Sequence, residues 1–134
     1  MKFSLENSAG YSIRSYQPGQ VEVISLARVQ SEESGLESIT LSSSAIITPD
    51  RLVENWPPES SGDLAREHLD MVLATTPEVI ILGTGNQLVF PDQAILQACY
   101  RENVGIEVMD NGAACRTYNV LASEGRQVAA ALII

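Results

Sequence analysis

Lysine is almost missing from this chain. Lys2 is the only one among eight basic residues, which face seventeen acids for a formal charge of -9. Nucleic acids and anionic membrane surfaces are recognised through Lys/Arg patches, so neither is an expected partner. The acids are spread along the chain and read most simply as a solubilising field. Histidine is scarcer still: His68 stands alone, which removes multi-histidine metal sites and weakens any Ser–His or Cys–His relay. The two cysteines, Cys99 and Cys115, have no CxxC spacing, and a secreted scaffold of this size would carry more. A reducing, cytoplasmic location is therefore expected, with no metal and no cofactor. No apolar run approaches the roughly 20 residues that cross a bilayer, so membrane insertion is not expected. The opening residues 1–10 lack the charged start and apolar stretch of a signal peptide.

What remains is ordinary globular material. The chain has 134 residues, 45% of them hydrophobic, and the length predicts one domain over 1–134. Tyr11 and Ile13 alternate with Ser12 and Arg14, and Val21 and Val23 continue the alternation. Between them Gln17-Pro18-Gly19-Gln20 has turn chemistry, with Pro presetting φ and Gly supplying φ > 0, so a hairpin is predicted. Ser31–Gly35 reads as a loop, and strand-like runs follow at Glu37–Leu41 and Ala45–Thr48. Residues 49–62 read as an irregular connection around Trp56-Pro57-Pro58. Trp56 is either an exposed contact or a cover for the sheet edge. Ser60 and Asp63 resemble a capping box before a helix carrying Leu64, Ala65, Leu69, Val72 and Leu73 on one face.

The second half alternates between strands and helices. Val79–Leu82 is continuously apolar, as in a strand buried on both faces. A glycine-bearing loop, Gly83-Thr84-Gly85-Asn86, leads to a helix with Pro91 in its first turn and Ile95, Leu96 and Cys99 inward. Ile106–Met109 is the next strand. Asp110 or Asn111 caps a third helix, with Ala113, Ala114, Thr117, Val120 and Leu121 inward, and Gly125 ends it. Val128–Ile134 is apolar throughout and predicts a central last strand. The expected fold is α/β in three layers: a mixed, mostly parallel sheet with flanking helices and an added N-terminal β-hairpin layer.

The segments Trp56-Pro57-Pro58, Pro77-Glu78-Val79, Leu82-Gly83-Thr84-Gly85 and Met109–Asn119 stand in an order and spacing that resemble a known family. It is an uncharacterised bacterial and archaeal domain family of unknown function, itself similar to the mitochondrial respiratory complex I assembly factor three. The resemblance runs from about residue 10 to the end, and the run Ala114-Cys115-Arg116-Thr117-Tyr118-Asn119 is its most specific part. It implies a mixed sheet with flanking helices and an added β layer, and it carries over no catalytic residue. Asn111 stands where many relatives have Thr, and either residue can cap a helix. An assembly role belongs to the eukaryotic branch and reaches this chain by analogy.

Ligands of open α/β sheets bind beyond the carboxyl ends of the strands. That edge should gather Gly83, Thr84, Gly85, Asn86 and Gln87 beside Asp110, Asn111, Cys115 and Arg116. Loop amides, a helix start and Arg116 would suit an anion. The simpler alternative, placed first, is a tight turn at Gly83 and Gly85 with Arg116 paired to a surface acid. A dinucleotide fingerprint fails because Leu88 occupies the place of its third glycine. Cys115, in the first turn of a helix and next to Arg116, has the setting of a lowered thiol pKa, although no base accompanies it. A small, partly buried structural cysteine is the commoner reading. Cys99 and His68 read as core residues. Two functional classes remain: a non-catalytic interaction or assembly-factor-like protein with a protein partner, or a small-molecule or anion-binding protein using the crevice, with Cys115 as its reactive group.

Overall fold

The computed structural model describes residues 10–25 and 37–134. The loop expected at Ser31–Gly35 and the opening nine residues lie outside the described residues.

An antiparallel sheet comes first, in the order β1 (Tyr11–Gln17), β2 (Gln20–Ser25), β3 (Glu37–Leu41). The β1–β2 turn is the predicted one, with Gly19 at φ 81° and Gln17 paired to Gln20. The expected hairpin thus gains a third strand. The alternation in β1 is broken by a bulge between Ile13 and Ser15. Ile13 and Tyr16, three positions apart, consequently both pack into the core, while Arg14 and Ser15 are exposed. A bulge inserts one residue and re-aims those that follow, which a strict period of two cannot anticipate.

The second sheet has the order β5 (Leu52–Glu54), β4 (Ala45–Ile47), β8 (Val128–Leu132), β6 (Val79–Gly83), β7 (Gly105–Met109). The last strand is central, as its apolar sequence predicts. It runs parallel to β6 and antiparallel to β4. Its successive residues alternate between two cores: Val128, Ala130 and Leu132 face one, Ala129, Ala131 and the following Ile133 the other. Strand β5 corrects the reading of 49–62 as wholly irregular. It is three residues long and pairs only at an edge, too short to leave a periodic signal.

Helices α1 (Arg66–Leu73) and α2 (Gln93–Arg101) cover one face of this sheet, and α3 (Asn111–Ser123) with the antiparallel sheet covers the other. The expected Ser60–Asp63 capping box does not start α1. Residues Ser61–Asp63 form a 3-10 turn, and α1 begins after Ala65, whose N–H donates to Nδ1 of His68 (2.9 Å). His68 has the position of the reaching-back residue in a capping box. Leu64 and Ala65 therefore precede the helix. Helix α2 likewise begins two residues beyond Pro91. In α3, Tyr118 takes the fully buried position, while Val120, expected inward, is exposed. Trp56 is 2% exposed, and its indole N–H donates to the His68 carbonyl (3.1 Å), which removes it as an exposed contact.

Candidate functional site

Parallel pairing of β6 with β7 brings their carboxyl ends together, as the sequence implies: Thr84 N–H donates to the Met109 carbonyl (3.0 Å). Asp110 caps α3 by accepting from Ala113 N–H (2.9 Å). The next residue, Asn111, is almost fully buried and enters the joint between loop and helix. Its backbone N–H donates to the Gly85 carbonyl (2.8 Å), and its Oδ1 accepts from Gly85 N–H (3.1 Å). Its Nδ2 donates to the Ile133 carbonyl (2.9 Å). One asparagine side chain thus ties the Gly83–Gln87 loop to α3 and the end of the last strand. Gly85 accommodates this with φ 103°, and Thr84 closes the turn by donating to the Gln87 carbonyl (2.7 Å). Of the amides expected to greet an anion, those of Thr84 and Gly85 are engaged within the protein.

The open space lies one step along α3, on the side facing β1. A groove of about 190 Å³ is lined by Ile13, Arg14, Ser15 and Tyr16 of β1 and by Gly112, Cys115, Arg116 and Asn119 of α3. Asn119 pins its strand wall. Ile13 N–H donates to Asn119 Oδ1 (2.9 Å), and Asn119 Nδ2 donates to the Ile13 carbonyl (2.7 Å). An edge strand offers unpaired backbone groups, and here a side-chain amide satisfies two of them beside the bulge. Tyr118, the preceding residue, donates its hydroxyl to the Tyr11 carbonyl (2.8 Å). The Tyr16 hydroxyl donates to Asn86 Oδ1, joining this wall to the expected loop. Among the described residues Arg116 makes no ion pair, contrary to the simpler expectation for it, while Arg14 lies 3.9 Å from Glu22.

Burial sets the chemistry of Cys115. Its thiol is pushed up to about 11, because desolvation outweighs the neighbouring Arg116 charge. This overturns the lowered-pKa setting read from its place in the first helical turn: the thiol stays protonated at neutral pH. Cys99 is also raised by burial, and both cysteines are free. Desolvation is the main cause that raises the Tyr16 pKa, with Cys115 and Asp110 adding to it and the Asn111 side chain opposing it. Among the described residues no cluster of His, Cys, Asp or Glu suits a metal, and no helix is long and apolar enough to cross a membrane.

Two further surface features stand out. A groove of about 330 Å³ lies between Ser42, Ser43 and Ser44 and the Trp56-Pro57-Pro58 segment, but Ser43 and Ser44 already bond to Asn55 and the Pro58 carbonyl. Just past the Gly83–Gln87 loop, Leu88, Val89 and Phe90 are 50, 44 and 69% exposed. Among the described residues that run is the longest stretch of exposed large apolar side chains, and residue-type periodicity gave no hint of it.

These features define a three-layer α/β domain in which an antiparallel sheet is latched beside the last helix through Tyr118 and Asn119. The chain belongs to the family described as a protein of unknown function (DUF498/DUF598), whose pattern matches residues 13–133. It is 36% identical over 70 residues to the 13 kDa major membrane protein of Francisella tularensis subsp. holarctica, covering 52% of this chain and 57% of that protein. It is 30% identical over 130 residues to the NADH dehydrogenase [ubiquinone] 1 alpha subcomplex assembly factor 3 of Danio rerio, covering 96% of this chain and 67% of that one. The chain spans about half the length of most curated relatives it matches. Among solved structures, a Xanthomonas campestris protein determined by NMR superposes with TM-score 0.76 at 43% identity, covering 96% of this chain and 87% of that one.

Proposed function

We propose that this protein acts by docking a protein partner, in the manner of an assembly factor, and not by catalysis. The observation that carries this reading is the exposed Leu88-Val89-Phe90 ridge beyond the carboxyl end of the central sheet. Contiguous exposed apolar residues with a polar surround mark interaction surfaces. Aromatic anchors such as Phe90 carry much of the energy of such contacts. The formal charge of -9 selects a partner whose apolar contact has a basic rim. The assembly-factor name of the Danio rerio relative agrees with this reading. So does a Cys115 thiol held protonated. A reducing, cytoplasmic setting fits two buried free cysteines.

The test is quantitative affinity capture from the native cell with the wild type and Phe90→Ser. Losing a central aromatic anchor costs about 1–3 kcal/mol of binding, roughly 5- to 150-fold, while an exposed site changes stability by only about 0.5 kcal/mol. A basic protein enriched by the wild type and lost with Phe90→Ser is the expected result. Identical captures by both proteins would reject the ridge as the docking surface. A second reading, small-molecule or anion binding beside α3, rests on the arginines of the β1–α3 groove.

A further inference from the structure

We propose that the β1–α3 groove is a binding site for a small oxyanion, a carboxylate or phosphate group carried by a small molecule. It is independent of the apolar ridge and of any protein partner. The groove is built by long-range structure rather than left over between elements. The bulge between Ile13 and Ser15 turns Arg14 and Ser15 outward at one wall. Bulges recur beside binding sites because they re-aim side chains in this way. Asn119 holds the strand at that point with two hydrogen bonds to Ile13. On the facing wall the small residues Gly112 and Cys115 leave the room, and Arg116 lines it. Tyr16, bonded to Asn86, ties this end of the groove to the loop after β6.

Two basic side chains favour an anion in this groove. In a chain of net charge -9, two arginines from different elements line a single groove. Arg116 has no ion-pair partner among the described residues, and Arg14 keeps most of its guanidinium donors because its contact with Glu22 is a single long one at 3.9 Å. Glu22 is further occupied by the hydroxyls of Ser15 and Ser38. The guanidinium fork matches the paired oxygens of carboxylate and phosphate. Glu22 and Asp110 are the nearby opposing charges; Asp110 already accepts from Ala113 N–H, as Glu22 does from the two serine hydroxyls. The volume of about 190 Å³ is roughly six times the share of one water molecule in the liquid. That accommodates an oxyanion with a small substituent.

The experiment is a ¹H–¹⁵N NMR titration of the full chain at low ionic strength, with inorganic phosphate in one series and acetate in another. Saturable shifts are expected at the amides of Arg14, Ser15, Gly112, Cys115 and Arg116. A stronger response to phosphate assigns a phosphate ligand, and a stronger response to acetate assigns a carboxylate. Arg116→Ala and Arg14→Ala should each weaken binding about 10- to 150-fold, the usual worth of one hydrogen bond to a charged group. Arg101→Ala removes an exposed arginine at the far end of α2 and should leave the affinity unchanged. The proposal is overturned if the groove amides do not saturate, or if Arg101→Ala weakens binding as much as Arg116→Ala. Shifts confined to Gly83–Gln87 would also overturn it, by placing the anion on the loop. Phe90→Ser should bind phosphate normally, so failure of the ridge and failure of the groove are distinguishable.

Discussion

Replacing Gly83 by alanine tests how tightly the joint between β6, α3 and β8 is closed. A Cβ at Gly83 would lie 2.2 Å from Asn111 Oδ1, 2.8 Å from Leu132 Cδ2 and 3.3 Å from Ala114 Cβ. Gly83 is not among the residues at positive φ, so the backbone itself tolerates alanine and the whole penalty is contact. Asn111 cannot simply withdraw, because its amide is held by Gly85 N–H and the Ile133 carbonyl. Overpacking a filled core costs about 1–3 kcal/mol. Displacing one of these hydrogen bonds adds about 1 kcal/mol. Gly83→Ala should therefore destabilise by about 2–4 kcal/mol. Asn111→Ala alone leaves a half-buried Gly85 N–H and the buried Ile133 carbonyl without this partner, and should cost about 2–3 kcal/mol. In the double variant the new Cβ meets space that the missing amide has vacated. Its cost should fall about 1–2 kcal/mol short of the sum, as expected for residues in contact. Urea unfolding followed by fluorescence of the single, buried Trp56 measures all three variants. Additivity within about 0.5 kcal/mol, or an unchanged midpoint for Gly83→Ala, would refute the argument.

Asn119→Ala removes two hydrogen bonds from Ile13 and should cost about 1–3 kcal/mol, with faster hydrogen exchange at the Ile13 amide. An Ile13 amide that exchanges at the wild-type rate would show that β1 does not depend on α3. Alkaline pH should weaken the fold. The Cys115 thiol titrates near 9 when exposed and near 11 when buried, so the native state holds more protons across that window and stability falls as pH rises through it. The loss should be at most about 2 kcal/mol by pH 11. Tyr118, also raised by burial, extends the decline at higher pH. Cys115→Ala should reduce the slope between pH 9 and 11, the remainder coming from Cys99, Tyr16 and Tyr118, and an unchanged slope would contradict the assignment.

Local chemistry and periodicity made much of the frame legible in the sequence. Pro18-Gly19 specifies a turn, Asp110 specifies a cap, and Gly125, at φ 82°, ends α3, each through interactions within a few residues. The unbroken apolar runs at Val79–Leu82 and Val128–Leu132 report burial on both faces, hence central strands. Two parallel strands, one followed by a loop and the other directly by a capped helix, place Gly83–Gln87 beside Asp110–Arg116. The sequence could not reveal that Asn111 fills that joint, or that space opens instead between Arg14 and Arg116. Nor could it give the direction of β8, the edge strand β5, the burial of Trp56 or the protonation of Cys115. Each is decided by partners distant in the chain. Asn119 is 106 residues from the Ile13 backbone that it holds, and Asn86 is 70 from Tyr16. Desolvation of a thiol depends on which layer packs above it. Short-range spacing records turns, caps and faces. Pairing across layers depends on how the chain closes, and no local pattern encodes it.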